Sequence, residues 1–356
     1  MQIKIMVVDD SAFMRKAISG ILEKDSRLKV VAFAKNGKEA CEKAKTEDID
    51  VITMDVEMPE LNGIEATKII MEESPVPIIM LSSLTNDGSH ATLKALENGA
   101  IDFIQKPSGN ISLDIHRIEI EIVSKVIAAA NSRIRRIRTS NRDLDVKKEE
   151  TVAKRETFIR KEPRYTPNIL VIGTSTGGPK ALQYIIPELP KLDVPVVIAQ
   201  HMPAGFTAIL AESLDKKSKM RVKEGEHNEE LEPNIVYIAP GGKLNTIIKR
   251  AGTRKVLSIE DNEYHKKIYT PSVDLLMEST SSIYMERTLG VILTGMGNDG
   301  LEGFKALKAN GGYSIAESSN TAVVYGMPRV VIEANLADDI CELQDVPKKI
   351  MKIFKL

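Results

Sequence analysis

Ser175 lies in Gly173-Thr174-Ser175-Thr176-Gly177-Gly178, directly after the apolar run Ile169-Leu170-Val171-Ile172. A hydroxyl on a sharp turn between a strand and a helix is one way an enzyme exposes a nucleophile. Serine attacks slowly at neutral pH unless a base takes its proton. His201, in Gln200-His201-Met202-Pro203, is the candidate base. Asp299, in Gly295-Met296-Gly297-Asn298-Asp299-Gly300, is the candidate for orienting the imidazole and stabilising its charge. Of the five histidines, His90, His116, His227 and His265 stand in helix-like or polar contexts; His201 alone directly follows a buried-strand pattern, Val194 to Ala199. Each segment alone has a plain structural explanation: a glycine turn binds phosphate or bends the chain, a lone histidine is structural, and Asp299 caps the helix that follows it. The three together favour catalysis.

A second constellation is acidic. Asp9 and Asp10 end one apolar run, Asp55 ends another, Ser82 a third, and Lys106-Pro107 follows a run containing Phe103. Carboxylates gathered at strand ends repel one another unless a hard cation sits among them, and oxygen ligands suit magnesium. With the metal and Lys106 drawing charge from an incoming phosphoryl group, one carboxylate becomes a nucleophile, and Ser82 is placed to hydrogen-bond the product.

The elements that must position these groups follow from hydrophobic period. Up to about residue 127, short apolar runs at Ile3-Val8, Lys29-Ala34, Val51-Met54, Ile78-Leu81 and Asp102-Ile104 alternate with segments of helical length, the pattern of a parallel sheet with helices on both faces. A second α/β pattern starts at Asn168. Its strand candidates are Ile169-Ile172, Val194-Ala199, Ile235-Ile238, Leu289-Leu293 and Tyr313-Ala316, with helices near Lys180-Ile186, Ala204-Lys216, Ser272-Tyr284 and Leu301-Asn310. Between about 130 and 166 the apolar period fades and twelve Lys or Arg face six Asp or Glu. We read it as a solvated linker; a basic contact surface is the other reading, but no recognition helix is recognisable. The expectation is an α/β chain of two domains, 1–127 and 167–356, joined by a linker at 128–166.

The 356 residues suit two cores, and 49 basic against 50 acidic residues give no general pull toward nucleic acid or an acidic membrane. Cys41 and Cys341 have no ligand-like spacing, no secretory leader is recognisable, and no apolar run reaches the roughly 18 residues of a membrane span, so a reducing cytoplasm is expected.

The first half, residues 1 to about 127, resembles the receiver domain of two-component response regulators, which implies a flavodoxin-like fold with a five-stranded parallel sheet and phosphorylation of Asp55 by a histidine kinase. By that resemblance Asp10, Asp55 and the backbone carbonyl of Glu57 hold magnesium, Asp9 supports them, and Ser82, Phe103 and Lys106 form the switch. Phe103 stands where many receivers carry tyrosine. The second half spells G-x-S-x-G, yet α/β-hydrolases order their triad serine, acid, histidine, and here the order is Ser175, His201, Asp299. It is similar instead to the catalytic domain of chemotaxis protein-glutamate methylesterases, and the whole arrangement resembles the CheB response regulators. That resemblance implies a doubly wound, mostly parallel domain in which Ser175 attacks the methylated glutamates of methyl-accepting chemotaxis receptors, releasing methanol without a cofactor. It also allows deamidation of receptor glutamines. Backbone N–H groups near Thr176 and Met296 are the candidates for the oxyanion hole, and Thr174 is a candidate contact of His201. A non-enzymatic receptor-binding module is the alternative, and a transcription factor is disfavoured because no helix-turn-helix pattern follows the linker.

Overall fold

The computed structural model describes residues 2–82, 86–106, 115–132, 162–242, 244–261 and 269–356. Pro107, His265 and residues 133–161 of the expected linker lie outside the described residues, as does the side chain of His116. The chain forms two compact units.

The first unit alternates strictly: β1 (Ile3–Val8), α1 (Ala12–Leu22), β2 (Leu28–Ala34), α2 (Gly37–Thr46), β3 (Val51–Asp55), α3 (Gly63–Glu73), β4 (Ile78–Ser82), α4 (Asn86–Glu97), β5 (Asp102–Gln105) and α5 (Ile115–Ala130). All pairings are parallel, in the order β2-β1-β3-β4-β5. Local sequence starts the helices: the side chains of Ser11, Asn36 and Asn62 accept from Met14, Glu39 and Glu65 N–H and cap α1, α2 and α3. β3 and β4 are buried along their whole length, as central strands covered on both faces must be.

The second unit runs β6 (Ile169–Thr174), α6 (Gly178–Glu188), β7 (Val196–Gln200), α7 (Phe206–Asp215), β8 (Arg221–Glu224), β9 (Ile235–Ile238), β10 (Asn245–Ala251), β11 (Arg254–Glu260), α8 (Val273–Tyr284), β12 (Thr288–Ile292), α9 (Leu301–Ala309), β13 (Tyr313–Glu317), α10 (Met327–Glu333), β14 (Asp339–Cys341) and α11 (Val346–Phe354). Seven strands form a parallel sheet in the order β14-β13-β12-β6-β7-β9-β8, and β10 and β11 make a separate antiparallel hairpin. Ile169, Leu170, Val171 and Ile172 are fully buried in β6, each such side chain contributing about 1.5–3 kcal/mol.

Every strand expected from the sequence is present, with ends shifted by up to two residues; β7 starts at Val196, after Pro195, which has no N–H to give a central ladder. The hairpin, β8, β14, α10 and α11 were not anticipated. β8 and β14 are short strands at the two sheet edges, and the hairpin strands are half polar, so none carries a continuous apolar run.

Candidate active site

In the second unit the chain steps from β6 outward through β7, then returns to place β12 on the other side of β6. Such a switch in strand order opens a crevice at the carboxyl ends of the strands. Ser175, His201 and Asp299 follow β6, β7 and β12, the three strands around that switch.

Ser175 starts a turn in which its carbonyl accepts the Gly178 N–H at 2.8 Å. Gly177, at φ 81° and ψ −6°, takes the third position of a type II turn, where a side chain would be strained. α6 begins at once, so the strand's direction reverses within four residues and Ser175 is left at the bend. Gly295 packs against it: a Cβ on Gly295 would stand 2.9 Å from the Ser175 Cβ. Thr294 fastens the turn from the same side. Its carbonyl accepts from Ser175 N–H at 3.0 Å and from Thr174 Oγ1 at 2.8 Å, while its hydroxyl donates to the Thr176 carbonyl at 2.9 Å.

His201 Nε2 lies 2.8 Å from Asp299 Oδ2, and both side chains are buried. Asp299 takes three more donors: Val273 N–H at 2.7 Å on Oδ2, and Ser272 Oγ and Asp274 N–H, each at 3.0 Å, on Oδ1. Burial pushes its carboxyl up, but the hydrogen bond and charge of His201 and the two N–H groups at the start of α8 outweigh it and hold the group below the ordinary carboxylate range. An ionised Asp299 fixes the imidazole proton on Nε2 and leaves the lone pair on Nδ1. Nδ1 is buried and has no hydrogen-bond partner among the described residues.

The structure therefore joins His201 to Asp299 directly, whereas Ser175 meets His201 through the backbone. Gln200 Nε2 donates to the Ser175 carbonyl at 3.0 Å and the His201 carbonyl at 3.1 Å. Thr174 meets His201 through the backbone, its carbonyl accepting from His201 N–H at 3.2 Å, while its hydroxyl is taken by the Thr294 carbonyl. Asp299 does not cap the helix that follows it; it serves the start of α8. Of the oxyanion candidates, Thr176 is the buried second residue of the turn, and Met296 is the half-buried neighbour of Gly295.

In the first unit, carboxylate oxygens of Asp9, Asp10 and Asp55 lie within 4.8 Å of one another at the ends of β1 and β3, again beside the switch in strand order. Lys106 Nζ is 2.8 Å from both Asp9 Oδ2 and Asp55 Oδ2. Burial raises Asp55 to about 6 against the pull of Lys106. The all-oxygen donor set fits a small hard divalent ion, with Asp10 exposed toward it. Glu57 is exposed just past β3. Arg15 Nη1 donates to the Asp9 and Asp10 carbonyls at 2.7 and 3.1 Å, a clamp not foreseen. Ser82 is turned toward α4: its hydroxyl donates to the Gly88 carbonyl at 3.3 Å and accepts from Thr92 Oγ1 at 2.6 Å. The Phe103 ring is buried, with Lys125 Nζ 5.5 Å from its centroid.

Gln200, Ser272 and Tyr269, whose ring stacks on His201, were missed by sequence reasoning. Ser272-Val273-Asp274 carried a signal, a polar cap ahead of an apolar helix, but nothing in it pointed to Asp299.

A receiver fold with an acidic pocket, followed by an α/β unit with a serine, a histidine and an acid at one strand edge, defines a response regulator with an enzymatic output. Residues 170–350 match the family model described as CheB methylesterase, and residues 5–116 match the response regulator receiver domain. The chain belongs to the CheB methylesterase family. It is 45% identical over 361 residues to a protein-glutamate methylesterase/protein-glutamine glutaminase of Methanococcus maripaludis, covering 99% of this chain and 98% of that one. Its counterpart of the same description in Thermotoga maritima is 44% identical over 352 residues, again covering 99% and 98%. The crystal structure of the Thermotoga maritima CheB methylesterase catalytic domain aligns with TM-score 0.51 at 41% identity, covering 53% of this chain and all of that one.

Proposed function

We propose that this response-regulator methylesterase hydrolyses γ-methyl esters of glutamate on methyl-accepting chemotaxis receptors, with Ser175, His201 and Asp299 as its catalytic groups. The observation that carries this reading is the 2.8 Å contact of His201 Nε2 with a buried, ionised Asp299, on the strand next to the Ser175 turn. Ser175 Oγ attacks the ester carbonyl carbon while its proton passes to His201 Nδ1, and Asp299 stabilises the imidazolium. The oxyanion is received by N–H groups at Thr176 and Met296, where one donor is worth about 10²–10³ in rate. As the intermediate collapses the C–OCH₃ bond breaks, and Nδ1 returns its proton so that methanol leaves. Water then attacks the acyl-serine with Nδ1 as base, freeing the glutamate and restoring Ser175. The same acyl-enzyme forms from a glutamine with ammonia as the leaving group, which agrees with the double description of the relatives. Rotation of the Ser175 hydroxyl toward Nδ1 completes the relay, consistent with catalytic contacts that tighten only when substrate is bound.

The first unit supplies control. Asp55 accepts a phosphoryl group from a chemotaxis histidine kinase, with Asp9, Asp10, Asp55 and the Glu57 carbonyl as ligands of a magnesium ion and Ser82, Phe103 and Lys106 as the switch. When bound, that ion neutralises charge on the transferring group; Lys106 does the same from the chain's own side. We place the receiver at 1–127, the linker at 128–166 and the catalytic domain at 167–356, in the cytoplasm. No helix among the described residues is long and apolar enough to cross a membrane. Methanol release from methylated receptor, with and without a small-molecule phosphoryl donor, tests the reading. Ser175→Ala should abolish release and leave Asp55 phosphorylation intact, and retained release would exclude Ser175 as nucleophile.

A further inference from the structure

The His201 imidazole has a second neighbour that the catalytic reading does not use. The Tyr269 ring lies parallel to it, with centroids 4.7 Å apart and planes inclined by 6°. The bond from Nε2 to Asp299 fixes one nitrogen but leaves the ring free to swing about that contact. A flat partner removes this freedom. We propose that Tyr269 is a positioning residue for His201, holding the imidazole plane so that Nδ1 faces the nucleophile.

Tyr269 is well anchored for such a task. The next residue, Thr270, donates its hydroxyl to the Gly242 carbonyl. Ser272 N–H donates to Asn245 Oδ1 at 2.9 Å, and Ser272 Oγ donates to Asp299 Oδ1 at 3.0 Å. One short segment thus carries both the face that stacks on the imidazole and a donor that orients its carboxylate partner. Tyr269 also reaches the loop that bears Asp299: a Cβ on Gly297 would stand 3.2 Å from the tyrosine hydroxyl and 3.6 Å from its ring. When His201 takes the serine proton, an aromatic face is also a favourable neighbour for the new cation. Neither contribution needs the hydroxyl.

The inference rests on Ser175 and His201 acting as proposed, so Ser175→Ala is measured in parallel. In the full-length protein, Tyr269→Ala and Tyr269→Leu should lower kcat for methanol release by about 10- to 100-fold, the usual cost of a misplaced catalytic group, with KM unchanged. Tyr269→Phe should restore the parent rate. In nitrogen NMR the His201 ring signals should broaden in the Ala and Leu variants, as a ring freed to swing would, and stay sharp in the Phe variant. The leucine variant keeps bulk at the site, and thermal melting identifies any variant that has lost its fold. Parent-like kcat in a folded Tyr269→Leu protein, a loss confined to KM, or failure of phenylalanine to rescue would each overturn the proposal. If instead Ser175→Ala retains activity, the catalytic reading itself falls.

Discussion

Asp299 and Asp274 each sit beside the helix start that the other serves. Asp299, one residue ahead of the Gly300 cap of α9, accepts from Val273 and Asp274 N–H at the start of α8. Asp274, within the first turn of α8, accepts from Gly300 N–H at 2.8 Å and Gly303 N–H at 2.9 Å at the start of α9. Two exchanged carboxylates thus lock the helices that flank the site, and the acid of the candidate triad is one of them.

Asp274→Ala should cost about 1–2 kcal/mol, as loss of a helix cap does, and should also slow catalysis although Asp274 does not touch His201. Hydrogen exchange of the Gly300 and Gly303 amides should accelerate. Unchanged exchange at both would show that the capping bonds contribute nothing in solution.

Asp299→Asn should reduce kcat by about 10²- to 10⁴-fold, because an amide cannot hold the imidazole in the same tautomer or stabilise its cation. Stability should respond to pH as well. A carboxyl held below its unfolded value stabilises the fold above about pH 4 and loses that contribution as pH falls through the folded value. Urea unfolding should show parent and Asn variant far apart at neutral pH and converging in strong acid.

Glu317→Gln should have the opposite pH signature. Glu317 is fully buried at the end of β13, and Oε2 accepts from Thr294 N–H at 2.7 Å. Burial raises its carboxyl to about 7, against hydrogen bonds from Thr294 and Thr321. The folded state then binds the proton more tightly than the unfolded chain, so the parent loses stability as pH rises from about 4.5 to 7. The glutamine keeps an acceptor for Thr294 without the charge. Its advantage over the parent should grow across that window toward about 3 kcal/mol, and a pH-independent difference would contradict the assignment.

Thr92→Val should ease activation. Thr92 Oγ1 donates at 2.6 Å to Ser82 Oγ, the group expected to turn toward a phosphorylated Asp55. Removing one neutral hydrogen bond of about 1 kcal/mol should raise the active fraction at subsaturating phosphodonor by about fivefold. Methanol release against phosphodonor concentration measures this, and an unshifted curve would mean that Thr92 does not restrain the switch.

The sheets were legible because central parallel strands are continuous apolar runs: β1, β3, β4 and β6 announce themselves, and the polar residue that ends each run is the one at the strand edge. Asp9, Asp55, Ser175 and His201 were visible for that reason. The edge strands β8 and β14 and the hairpin were not, since their half-exposed residues alternate without a distinctive pattern. Tyr269, Ser272 and Gln200 were hidden for another cause. Their roles come from contacts across 25 to 68 residues of chain or from a side chain reaching two carbonyls, and no local period encodes either.

The amide of Gln200 grips Ser175 and His201 by their carbonyls at the same time. A push on the rim of the crevice therefore displaces attacking group and proton acceptor as a single tile, and the gap between them survives the shove.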